Sequence, residues 1–312
     1  MLPPALNFLS SHVSSILSTQ RSYWATLLLV FLAPLLPAAP LELHKTRSSI
    51  NDLALTGLLD GVPAGEVRYV RWTDLRALPS TRFCPNGEFL AGAQEITMVF
   101  LSDLWNALPR RTGADTLLAT CNDGYASVYR ADFMASHRPF LVLEINGYPN
   151  DRWPPPGLIS NPGPYAIWVS VSIAPAVAQL LDAGHKRPWG VTKIEVASYA
   201  DRFGGAYKGR WGEVSPRAVM GREIWINSCA SCHAGPGNIF GGTKGGLSFE
   251  VLAAHAKERP DFFKTYIRAP QTFRPDAKMD AHPHYTDTHI AAIIAFVTAE
   301  PRASAASIGS TP

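Results

Sequence analysis

The sequence predicts two domains, a strand-rich α+β half followed by an all-α half, and three observations carry that prediction. Between residues 41 and 197, short alternating or apolar segments are separated by Pro, Gly and Asn, the pattern of strands joined by turns. From residue 215 to 302, apolar residues recur instead at the 3.6-residue period of amphipathic helices. Where the first of those helices ends stands Cys229-Ala230-Ser231-Cys232-His233, the Cys-x-x-Cys-His spacing that attaches a haem through two thioethers.

The chain has 312 residues, room for two domains, and its 46% hydrophobic content is ordinary for globular protein. A formal net charge of +3, with no basic run and no glycine-rich phosphate loop, excludes a nucleic-acid partner. Residues 1–40 read as a targeting segment: Arg21 precedes an apolar run from Trp24 to Leu36 that ends in Pro37-Ala38-Ala39-Pro40. That run is short for a membrane span and suits a secretory leader, with an uncleaved membrane tether as the alternative. Either reading implies export, here to the periplasm.

Within residues 41–197, strands are expected at Val67 to Trp72, Glu95 to Phe100, Thr116 to Cys121, Phe140 to Ile145, Ala166 to Ser172 and Thr192 to Val196. Short helices are expected at Asp74 to Ala77, Leu101 to Ala107, Arg130 to Ala135 and Ala174 to Ala183. Two of the four cysteines, Cys84 and Cys121, permit a disulfide in an oxidising compartment, and a buried free pair is the alternative. His137 and His185, beside Arg138 and Lys186, read as solvated surface. Asp123 reads as the shaper of a turn with Gly124. The stiff Trp153-Pro154-Pro155-Pro156-Gly157 loop reads as a partner surface. Residues 198–214, rich in glycine and aromatics, form a linker that packs against its neighbours.

In the helical half, Ser215-Pro216 caps a helix in which Val219, Met220, Ile224 and Trp225 recur at helical spacing. Gly221 on the same helix would let another helix cross closely. The helix runs into Cys229, so both thiols and the imidazole of His233 share one turn, and His233 is the candidate proximal ligand. A structural zinc site would need two more ligands beside the cysteine pair, and His282 and His284 are the nominees. Of the five methionines, Met279 alone follows the motif, in an irregular segment, which makes it the candidate distal ligand; His282 or His284 would instead give a bis-histidine haem. Phe249 to Ala256 and Pro260 to Ile267 read as middle helices. Ile290, Ile293, Ile294 and Val297 mark a last one that starts at Thr286 and Asp287. Residues 303–312 read as a disordered tail.

A helix with Gly221 and Trp225, then Cys-x-x-Cys-His, a loop methionine, and a last helix with Ala295-Phe296 near its end resemble the class I cytochrome c domain. The resemblance covers residues 213 to 302, with Asp280 standing where many relatives have proline. It implies a cytochrome c fold whose first and last helices cross, one covalent haem c on Cys229 and Cys232, and iron ligated by His233 and Met279. The front half resembles the sulfite-oxidase type of molybdopterin-binding fold. The carriers are Trp72-Thr73-Asp74-Leu75-Arg76-Ala77-Leu78-Pro79, Met98 to Trp105, Asn122-Asp123-Gly124-Tyr125, Val142 to Pro149, Gly163-Pro164-Tyr165 and Trp189 to Val196. The surroundings of Cys84 do not match that family's metal-binding cysteine motif, so a degenerate domain without molybdenum is expected.

These resemblances imply a periplasmic monohaem carrier that passes single electrons between redox protein partners, with the front half docking or sensing. Lys244, Lys278 and Arg274 would form a basic rim for an acidic partner. The alternatives are an enzyme that oxidises a small oxyanion such as sulfite at a molybdenum cofactor held by Cys84, and a haem subunit of a larger dehydrogenase complex.

Overall fold

Along the strand Thr116–Cys121, Leu117, Ala119 and Cys121 point one way and Leu118 the other, yet all four are buried. Successive side chains of a strand leave opposite faces, so a strand apolar on both faces must be covered on both sides. The computed structural model, which describes residues 40–85, 87–204, 215–238 and 240–299, shows what covers it.

Strands β1 (Leu53–Gly57), β2 (Arg68–Val70), β5 (Thr116–Cys121), β6 (Ala126–Arg130) and β10 (Val191–Ala197) form one sheet in the order β2-β1-β10-β5-β6. Only β1 and β10 pair in parallel; the other pairs are antiparallel. Strands β3 (Ser80–Phe83), β4 (Ile96–Phe100), β7 (Phe140–Ile145), β8 (Tyr148–Pro149) and β9 (Ala166–Trp168) form the second, with β9 also on β7. Helices α1 (Trp72–Ala77), α2 (Leu101–Ala107) and α3 (Ala131–His137) follow β2, β4 and β6. Leu55, Leu117 and Ile194 of the first sheet pack with Val99, Leu141 and Ile167 of the second in one core. The far face of the second sheet buries Met98, Phe140, Val142 and Trp168.

The other face of the first sheet is covered by α4 (Pro216–Asn227), α5 (Phe249–Glu258), α6 (Pro260–Arg268), α7 (Pro270–Phe273) and α8 (Asp287–Val297), together with their loops. Leu118, Val128 and Ala197 of that sheet share a core with Trp225, Phe263, Ile293 and Phe296 of the helices. The expected fold class, a sulfite-oxidase-like α+β domain followed by a separate all-α domain of cytochrome c fold, is therefore corrected. The described residues from Pro40 onward form one compact unit, a mixed α/β protein with two sheets, because strands and helices bury each other's apolar faces. Among the described residues no helix is long and apolar enough to cross a membrane. The targeting segment lies outside the described residues except for Pro40; residues 205–214 of the linker and the tail also lie outside them.

Some expected elements shift. The strand expected at 67–72 is cut to β2 because Trp72 opens α1, and the helix expected at 174–183 is a 3-10 turn, Pro175–Gln179, with a second at Ala183–Lys186. Strands β1, β3, β6 and β8 carry weak period-two signals and are set by their partners. At the entry to β1, Asp52 is 2% exposed and accepts from the Ser48 and Ser49 N–H groups, Ser48 Oγ and the Arg71 guanidinium at 2.7 Å. Burial alone would raise its pKa, but these donors hold it at about 2. The unfolded carboxyl titrates near ~3.9, so the stabilisation is complete above that pH and is lost as pH falls through about 2. Acid unfolding of wild type is expected to lose on the order of 2 kcal/mol more than Asp52→Asn across this window. Urea midpoints measured from pH 5 to pH 2 check it; parallel curves would refute the assignment.

Candidate functional site

Ser215 caps α4, its Oγ accepting from the Ala218 N–H at 3.2 Å with Pro216 at the first helical position. The helix ends at Asn227, and a 3-10 turn, Cys229–Ser231, carries the chain on. Within that turn Cys232 N–H and His233 N–H both donate to the Cys229 carbonyl, at 3.1 and 2.9 Å. These backbone hydrogen bonds close the segment from Cys229 to His233 into a turn. Both thiols are free, and burial pushes Cys229 up to about 12 and Cys232 upward too.

The His233 ring lies 6.2 Å from that of Trp225, and its edge rests on the Gly245 backbone. A Cβ at Gly245 would stand 2.2 Å from His233 Cε1, so any other residue there would push the imidazole aside. Gly245 N–H donates to the Cys232 carbonyl at 2.7 Å, tying this loop to the motif. Burial lowers the imidazole's pKa, the Leu247 backbone opposing it in part, and Nδ1 is buried without a hydrogen bond of good geometry.

Helix α8 crosses α4 at Gly221, where a Cβ would lie 1.9 Å from the Ala292 carbonyl oxygen. The close crossing expected from Gly221 is present, flanked by Trp225 against Phe296 at 6.0 Å and Phe249 at 5.0 Å. Met279, half-buried, packs against this same core, as do Cys229, Phe240 and Leu252. Gln271 Nε2 donates to the Met279 carbonyl at 2.9 Å and fixes the segment.

A second group of polar side chains joins strands to helices beside the motif. Asp182 precedes the 3-10 turn Ala183–Lys186, and its Oδ1 lies 3.2 Å from His282 Nδ1 and 3.0 Å from His284 Nε2, while Tyr285 Oη donates to Oδ2. His282 is held by its N–H on the Ile267 carbonyl at 3.0 Å. His185 lies beneath, its ring centroid 5.5 Å from that of His282 and its Nδ1 2.9 Å from Tyr125 Oη. Burial would raise the Asp182 pKa, but the His282 and Tyr285 hydrogen bonds bring it well below the carboxylate range. Burial lowers His185, with Asp182 acting against it. Asp182, His185, His282 and Tyr125, with Asp280 and Lys244, line a cavity of about 340 Å³.

Several expectations are corrected here. His185 and Lys186 are 9% and 2% exposed, because the turn that carries them is held between β6 and the motif: Ser127 Oγ and Ser231 Oγ both donate to the His185 carbonyl. Cys121 is a free thiol buried in the sheet core, its pKa pushed up to about 12 by burial, so no bridge joins it to the exposed Cys84. Trp153 is buried at 7%, its indole N–H donating to the Tyr148 carbonyl, so the proline loop presents no aromatic partner surface. Lys244 is paired with Asp123 at 2.7 Å, and Arg274 with Asp276 at 3.5 Å, so among the described residues two members of the expected rim are held by carboxylates. Asp123 shapes its turn as expected, accepting from Tyr125 N–H at 3.0 Å.

Sequence reasoning nominated His282 and His284 but missed Asp182 and His185, which lie about a hundred residues away along the chain. The His-x-His pair was the only local signal. Comparison of the chain with protein-family models and with curated proteins finds no match.

Proposed function

We propose that the protein transfers single electrons through one haem c, attached covalently to Cys229 and Cys232, with His233 as the proximal ligand and Met279 as the distal one. The observation that carries this reading is the turn of Cys229, Cys232 and His233, two free thiols on one turn with a buried imidazole. The residues fit the group. The thiols are three apart on one turn, the imidazole is wedged against Gly245, and an apolar wall of Trp225, Phe249, Phe263 and Ile267 stands behind them.

Haem, when bound, would supply one-electron chemistry at its iron, which His233 and Met279 would hold. The chain's own part is to hold, orient and dry the group. His233 is fixed by its packing against Gly245, and Met279 by Gln271 on its carbonyl. The strand-rich half offers the surface on which a redox protein docks. Reduced thiols are joined to haem outside the cytoplasm, with which the apolar run from Trp24 to Leu36 agrees.

The test is direct. Full chain made in a host that matures c-type haems is expected to keep its pigment after denaturation and extraction with acidified organic solvent, one haem per chain. Cys229→Ala/Cys232→Ala is expected to release or lack all of it. Pigment extracted from the wild type, or none at all, would remove the proposal.

A further inference from the structure

Asp182, His185 and His282 make up a group that the proposed electron-transfer role does not use. Their ligand atoms all lie within 4.8 Å of one another. We propose that these three side chains bind a divalent transition-metal ion of the zinc class, at a site separate from the haem iron.

The donor set fits such an ion. Two imidazoles and one carboxylate are the ligands that borderline-soft divalent ions take, with bonds of about 2.0–2.2 Å, which puts ligand atoms of a tetrahedral site roughly 3.4 Å apart. Asp182 Oδ1 and His282 Nδ1 already stand 3.2 Å apart. His185 has on the order of 1 Å left to close, within reach of a side-chain rotation.

The surroundings are those of a held site. His185 Nδ1 is engaged by Tyr125 Oη at 2.9 Å, which leaves Nε2 for an ion and fixes the ring, as outer hydrogen bonds do at metal sites. The other oxygen of Asp182 is held by Tyr285 Oη, and His284 Nε2 steadies Oδ1. Asp182 and His282 side chains are 8% and 10% exposed, yet the group opens on the 340 Å³ cavity, so an ion has an entry path and a free position for water or an anionic ligand. Asp280 lines the same cavity and adds negative charge. A purely structural hub would need Asp182 to satisfy the histidines of the 282–284 segment. It would not need His185 beside the same group, with its ring held by Tyr125.

The experiment uses the full chain as purified, freed of adventitious metal by a chelator and titrated with zinc chloride alone, then with cobalt(II) as a spectroscopic substitute. The expected result is one zinc per chain after gel filtration, and visible cobalt bands without the intense near-ultraviolet absorption of thiolate ligation. His185→Ala/His282→Ala is expected to bind at least 100-fold more weakly. Absence of stoichiometric zinc, uptake unchanged in the double variant, or a thiolate band showing the ion on Cys229 and Cys232 would each overturn the site. Should the double variant fail to fold, the wild-type zinc stoichiometry and cobalt spectrum decide by themselves. Pigment retention is read separately by solvent extraction, so loss of the haem reading and loss of this one are told apart.

Discussion

Gly221→Val is expected to destabilise the protein by about 3 kcal/mol or more, the upper end of what inserted volume costs in a packed core. The new Cβ would lie 1.9 Å from the Ala292 carbonyl oxygen, 2.5 Å from its carbon and 2.8 Å from Phe296 Cβ. Two of those atoms are backbone, so no rotamer change relieves the overlap and α8 has to move off α4. That motion would separate Trp225 from Phe296 and loosen the core on which Cys229 and Met279 pack. Total stabilities of natural domains run to ~5–15 kcal/mol, so such a loss empties much of the folded population. Gly184→Ala is the control: a Cβ there meets nothing within 4 Å, and its effect is expected within about 0.5 kcal/mol. Urea unfolding of both variants checks the pair. A Gly221→Val loss below about 1 kcal/mol would mean that the helices do not cross this closely.

Lys186→Met is expected to raise stability at pH 6 by on the order of 3 kcal/mol, a gain that shrinks as pH rises toward 10. Lys186 is 2% exposed, and its Nζ donates to the Val128 carbonyl at 2.8 Å beside the rings of Phe133 and Tyr129. Burial lowers its pKa to about 7, with Glu223 pulling weakly the other way. The unfolded lysine stays protonated to about pH 10.4, so between 7 and 10 the unfolded chain binds the extra proton and wild-type stability rises with pH. Below 7 both states carry the charge and its burial cost stands in full. Methionine keeps the length of the stem without the charge, and the hydrogen bond it gives up recovers only about 1 kcal/mol of that cost. The difference between wild-type and variant urea midpoints at pH 6 and pH 9.5 measures the effect; an equal offset at both pH values would rule out a buried titrating amine.

The motif and its turn were legible in the sequence because their order is local. Cap, helix, two thiols and imidazole follow one another within nineteen residues, and backbone hydrogen bonds of short range hold them. Gly221 was legible for a related reason, since a residue without a side chain on an apolar helix face marks a close approach whatever approaches. The long strands β5 and β7 also stood out, while β3 and β6 did not, because exposed or mixed side chains such as Ser80-Thr81-Arg82 take their extended form from neighbouring strands.

What the sequence alone determined was local: the turn that carries Cys229, Cys232 and His233 and the helical period on either side of it. The tertiary structure decided the rest. Leu118 and Val128 look like ordinary strand residues, and only the three-dimensional packing shows that their side of the sheet is the floor of the helical layer, which fuses two expected domains into one body. The Asp182, His185 and His282 group arises at that seam. The physical reason is one of range: hydrogen bonds along the backbone act between near neighbours and leave a pattern in the chain, whereas burial and charge act between surfaces that meet only after folding.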